Sequence, residues 1–232
     1  MTIDTSFMIA KAIDAFVTFL IFLICFLIYK NTKGASIAYK IWGKAVFIVF
    51  FATVVSIISG IAFGCNDTDP NLKNEIHTVV VHTIKAFGYF YIPIGIMYFS
   101  KDLGFVEIDK NIIQKIKIGF FSIVSFIFTL LIVLIPITNV IPLSNAIFNS
   151  LYVTLWCYMI YYYIPVYKHL KSTNICWLLI FIGIFGGLVS DLSVLVTLLV
   201  PEIKALVDIG QLVMAVGFIF GFFKLGKMVE AI

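Results

Sequence analysis

The residues best placed to do chemistry are His82 and Lys85, set inside an otherwise apolar run from Ile76 to Phe99, with Asp191, Asp208 and Gln211 further along the chain. A lysine near the centre of a bilayer-length segment costs about 2.5–3.5 kcal/mol to insert, so it must face a partner or a wet cavity. An ammonium opposed to a carboxylate can hold a polar ligand or pass a proton, and histidine titrates near neutral pH. Helical spacing puts Thr78, His82, Lys85 and Tyr89 on one face of the third apolar segment, and Asn145, Asn149, Tyr152 and Trp156 on one face of the fifth. At about 1.5 Å per residue, Lys85 and Asp191 both fall roughly 13 Å below the outer ends of their helices. That shared depth predicts a charge pair. Lys204, Asp208 and Gln211 from the last segment, Lys11 and Asp14 from the first, and Ser56 and Ser59 from the second add further polar stripes at the same end. The ligand-binding or proton-relay set is therefore His82, Lys85, Tyr89, Asn149, Asp191, Asp208 and Gln211.

Other chemistries lack their apparatus. His77 and His82 are five residues apart and do not share a helical face, and no cysteine or third histidine stands nearby, which argues against zinc or haem. There is no H-E-x-x-H, G-x-S-x-G, P-loop or dinucleotide fingerprint. The reading is thus of no catalytic residues, no metal, no cofactor and no enzyme. The four cysteines are scattered and read as free thiols. The net charge of +4 comes from lysines beside apolar segments, a membrane-orientation signal rather than a nucleic-acid surface.

Those residues sit on apolar elements. Of 232 residues, 62% are hydrophobic and 12% charged, with a mean hydropathy of +1.12, against about a quarter charged in soluble domains. Runs of about 20 apolar residues suit helices, not barrel strands. The pattern predicts an all-α integral membrane protein, a single domain of seven transmembrane helices at about 8–29, 41–64, 76–99, 116–137, 144–167, 174–200 and 204–224. Lysines follow helices 1, 3, 5 and 7, while acidic or uncharged turns follow 2, 4 and 6, so the N-terminus lies outside and the C-terminus inside. All 16 basic residues are lysine, which with abundant Ile, Phe and Asn suggests an AT-rich, prokaryotic coding genome.

Several local expectations follow. The short link at Thr138–Pro142 makes helices 4 and 5 antiparallel neighbours. Gly60 and Gly64, Gly183 and Gly187, and Gly217 and Gly221 form small-xxx-small faces. Tyr158, Tyr161, Tyr162, Tyr163 and Tyr167 form an interfacial belt, and His77 sits at the membrane interface. Pro93 and Pro136 are positions where helices 3 and 4 would break. The acidic segment around Asp67 and Asp69 reads as an outer helix-capping turn. Leu206-Val207-Asp208-Ile209 followed by Ala215-Val216-Gly217-Phe218, on a seventh helix with its N-terminus outside, resembles the last helix of microbial rhodopsins. That family's retinal-bearing lysine falls four residues after the aspartate, where this chain has Leu212, so the resemblance implies no retinal here.

Together these features describe a multi-pass protein of the cell membrane, receptor-like, binding or sensing a small ligand from the outer side. The inner loops are short, so an output would need a membrane or cytoplasmic protein partner. The alternatives are a small-solute or proton-coupled transporter, which predicts repeats or broken helices, and a structural subunit of a membrane complex.

Overall fold

A computed structural model describes residues 5–31, 37–65, 71–105, 107–170, 175–197, 200 and 204–230. Asp67, Asp69 and the chain around Pro201 lie outside the described residues, as does the side chain of Lys204. The described chain is all helical: α1 Thr5–Asn31, α2 Ile37–Phe63, α3 Leu72–Asp102, α4 Lys110–Leu134, α5 Ile141–Leu170, α6 Cys176–Thr197 and α7 Lys204–Glu230. Most overrun their expected ends by several residues. An apolar run marks only the stretch matched to hydrocarbon, whereas a helix continues into polar sequence until its backbone is capped.

Caps are visible at several ends. Asn71 accepts from the Asn74 backbone N–H at 3.0 Å and starts α3. Gly64, at φ 66°, turns α2 off in the left-handed region, and Gly104, at φ 78°, does the same for α3. Gly64 is therefore a helix stop.

Six helices, all but α5, are long and apolar enough to cross a membrane. The 30 residues of α5 span roughly 45 Å, but asparagines, hydroxyls and tyrosines lower its hydropathy. Large apolar side chains lie open on the outside, among them Phe16, Phe126, Ile137 and Phe220. A soluble protein does not expose a continuous apolar exterior of this kind; a lipid-facing bundle does. The chain is a helical, multi-pass membrane protein.

The packing order is a ring, α1–α2–α3–α5–α6–α7 and back to α1, with α4 outside it against α3. The expected α4–α5 pairing is corrected by this arrangement. Phe90 stacks on Phe120 at 4.0 Å between ring centroids and Phe87 on Phe121 at 4.9 Å, so aromatic contacts seat α4 on α3. Released from neighbouring α4, α5 packs directly on α3. Its start matches the start of α3, since His82 meets Phe148 and Tyr152 while Tyr89 meets Tyr152 and Trp156. The other ring contacts between helices adjacent in sequence run antiparallel, as Phe19–Phe50 and Ser56–His77 show. One end of the bundle thus gathers the beginnings of α1, α3, α5 and α7 and the ends of α2 and α6.

Glycines set the closest approach. A Cβ on Gly217 would lie 2.5 Å from the Gly183 nitrogen, and one on Gly210 would lie 2.6 Å from the Ser190 nitrogen, so α6 and α7 touch backbone to backbone. Gly187 does not share that face: its missing Cβ leaves room for the indole of Trp156 on α5. The expected Gly183–Gly187 stripe is in fact two separate contacts. Pro93 lies within a continuous α3, and Pro136 falls beyond the end of α4, so neither breaks a helix in two.

Candidate functional site: a polar cavity inside the ring

A cavity of about 500 Å³ opens between the six ring helices at the end where α1, α3, α5 and α7 begin. Its volume falls within the range of small-molecule sites, roughly 300–1,000 Å³. All seven candidate residues line it: His82, Lys85 and Tyr89 from α3, Asn149 from α5, Asp191 from α6, and Asp208 and Gln211 from α7. Lys11, Asp14 and Thr18 of α1 and Thr53 of α2 complete the wall. The helical spacings align these polar faces, and the ring order closes them on one space.

At the floor, the Trp156 indole N–H donates to Asp191 Oδ2 at 2.6 Å, a short charge-assisted hydrogen bond. Lys85 lines the same cavity. Asp191 thus takes an indole as a hydrogen-bond donor, which the depth count did not assign. Trp156 was visible in the sequence as the last member of the Asn145–Asn149–Tyr152 stripe. What the stripe could not show is Gly187, four residues before Asp191, which admits the ring.

On the α3–α5 wall, Tyr152 Oη donates to the His82 carbonyl at 2.9 Å and lies 3.3 Å from His82 Nδ1. A phenol has one proton. With that proton on the carbonyl, the second contact requires Nδ1 to be the donor, which fixes the imidazole tautomer. The imidazole also stacks on Phe148 at 5.5 Å with an 11° tilt. His82 is held by packing as well as by hydrogen bonding.

His77 is buried, 6% exposed, between α2 and α3. Ser59 Oγ lies 2.7 Å from its Nδ1 and Ser56 Oγ 3.3 Å from its Nε2. Ser59 also donates to the Val55 carbonyl at 2.8 Å. The two serines thus hold the imidazole by both ring nitrogens. Ser56 and Ser59 consequently serve this clasp and do not line the cavity.

Beyond Trp156 the bundle is filled by rings. Trp156 contacts Phe218, Phe218 contacts Phe222, Phe222 contacts Trp42, Trp42 contacts Phe99, and Phe99 contacts Trp177, with centroids 5.4–6.3 Å apart. All three tryptophans of the chain belong to this series. Tyr163 is also core, 1% exposed and donating to the Trp177 carbonyl at 2.7 Å. It leaves the tyrosine belt, whereas Tyr158 and Tyr161 face outward. None of the four cysteines forms a disulfide.

Comparison with protein-family models, with curated proteins and with solved structures gives no match to this chain. Class thus rests on the chain's own architecture: a multi-pass helical membrane protein enclosing a polar cavity of ligand size.

Proposed function

We propose that this is a seven-span, receptor-like protein of the cell membrane, N-terminus outside, that binds a small ligand from the outer side. The observation that carries the reading is the convergence of His82, Lys85, Tyr89, Asn149, Asp191, Asp208 and Gln211, from four helices, on a single cavity of about 500 Å³. The orientation rests on the lysines. Lys30, Lys40, Lys44, Lys101, Lys110 and Lys168 cluster at the end of the bundle opposite the cavity, which the positive-inside rule makes cytoplasmic. On this reading α5 also spans, its polar face turned to the cavity and its length sufficient for a bilayer.

The aromatic series favours sensing over transport. A carrier needs a wet route to the inner side, and here the Trp156–Trp177 series fills the space that such a route would cross. It also joins the cavity floor to the inner half, so that a ligand displacing the indole from Asp191 would disturb packing there. No catalytic step is part of this reading, and the output passes to a membrane or cytoplasmic partner.

The test is labelling in intact cells after replacement of the native cysteines. A cysteine at Leu212, on the cavity wall, should react with an impermeant thiol reagent from outside, and one at Lys110 should react only in inverted vesicles. The opposite pattern refutes the outward cavity.

A further inference from the structure

We infer that the ligand of this cavity carries an ammonium group with N–H donors, a primary or secondary amine; this rests on the outward-cavity reading and deepens it. Three neutral polar groups of the wall, on Thr18, Thr53 and Asn149, are turned so that they offer acceptors. Thr18 Oγ1 gives its proton to the Asp14 carbonyl at 2.7 Å, and Thr53 Oγ1 gives its proton to the Val49 carbonyl at 3.1 Å. Each hydroxyl is left with lone pairs only. Asn149 is 4% exposed and lines the cavity, and its Nδ2 donates to the Asn145 carbonyl at 2.7 Å. The group this leaves for a ligand is the Oδ1 acceptor.

The charges point the same way. Among the described residues, Asp14, Asp191 and Asp208 line the cavity against Lys11 and Lys85, and both lysines already have interactions within the protein. An anionic ligand would have to displace those interactions and would meet three carboxylates and three oriented acceptors. An amine meets carboxylates and these three acceptors on one wall. A quaternary ammonium fits less well, because it has no N–H for the acceptors and relies on open aromatic faces. Here Tyr89 and Tyr152 pack on each other at 4.7 Å, and Tyr89 also meets Trp156 edge-on.

The experiment reads the sign of the site without knowing the natural ligand. Ala215→Cys, on the wall but outside the polar set, is made in the full chain lacking its native cysteines and purified in detergent. Leu212→Cys is the second position should the first fail to fold. At low ionic strength, rates with 2-aminoethyl and 2-sulfonatoethyl methanethiosulfonate are each divided by the rate with 2-mercaptoethanol. The expected ratio favours the cationic reagent by about tenfold or more, as field focusing in a charged cleft provides. Millimolar 1,3-diaminopropane should slow the reaction, tetramethylammonium should not, and Asn149→Leu or Asp208→Asn should weaken that protection. Faster reaction with the anionic reagent, or equal protection by tetramethylammonium, overturns the amine assignment while leaving the cavity in place. No reaction with either reagent at both positions, while a cysteine at Lys110 reacts, overturns the cavity reading itself.

Discussion

Substituting Gly187 by alanine tests whether the cavity floor is built as described. The new Cβ would lie 2.7 Å from Trp156 Cε2 and 2.8 Å from Cη2, and closer still to Cζ2. Carbon atoms rest at about 3.5–4.0 Å, so the ring must retreat by roughly 1 Å. Gly187 and Asp191 lie one turn apart on α6, so a ring pushed off one is drawn away from the other. A retreat of that size stretches the 2.6 Å indole–carboxylate bond to about 3.5 Å, beyond hydrogen-bonding distance. Losing a hydrogen bond to a charged group costs about 1.5–3 kcal/mol, and overpacking adds about 1–3 kcal/mol. Alanine's better helix propensity returns about 0.8–1.0 kcal/mol. The net expectation for Gly187→Ala is a loss of roughly 1.5–5 kcal/mol, measured by reversible detergent unfolding with tryptophan fluorescence. Gly119 on α4 has nothing within 4 Å of its would-be Cβ, so Gly119→Ala should be neutral or stabilising. All three crowded indole atoms belong to the six-membered ring fused to the pyrrole, which phenylalanine lacks. On a Trp156→Phe background the Gly187→Ala penalty should therefore largely vanish. An equal penalty in both backgrounds, or one no larger than that of Gly119→Ala, would refute the proposed packing of the floor.

Other expectations follow from neighbouring contacts. Lys85→Met and Asp191→Asn should each destabilise the bundle, and the double variant should recover part of the loss; strict additivity in the same unfolding assay would mean the two charges are uncoupled. Recovery of stability without recovery of ligand binding would assign the pair to the site, whereas recovery of both would make it structural. Ser59→Ala should cost about 1–3 kcal/mol by leaving His77 Nδ1 without its 2.7 Å partner, and should leave thiol reactivity at Ala215→Cys unchanged. Gly217→Ala should cost at least the upper end of the 1–3 kcal/mol overpacking range, because the obstructing atoms are the Gly183 nitrogen and Cα and the Leu179 carbonyl, all backbone. A milder effect, read from the unfolding midpoint, would show that α6 and α7 can separate freely.

Class and most of the polar lining were legible in the sequence because both follow from one-dimensional rules. Hydropathy over about 20 residues marks a span, and a 3.6-residue period puts Thr78, His82, Lys85 and Tyr89 on one stripe. A polar stripe on a lipid-solvated helix has to turn inward, so stripes from several helices at one depth face a common interior. Periodicity carries no information about which helix lies beside which. That is why α4, linked to α5 by a short turn, was expected beside it, whereas Phe90–Phe120 stacking holds it on α3 and lets α3 and α5 meet. Nor does it separate glycines of identical spacing: Gly183 meets the α7 backbone, Gly187 admits an indole, and Gly64 ends a helix. His77 and Tyr163 could equally have been interfacial by depth, and only tertiary partners, two serines and the Trp177 carbonyl, draw them into the core. The sequence by itself determined which faces must avoid lipid, because solvation acts on each residue separately. The tertiary structure decided how those faces are joined, because contacts such as Trp156 with Asp191 depend on the shape of every intervening side chain, down to a single absent methyl group at Gly187.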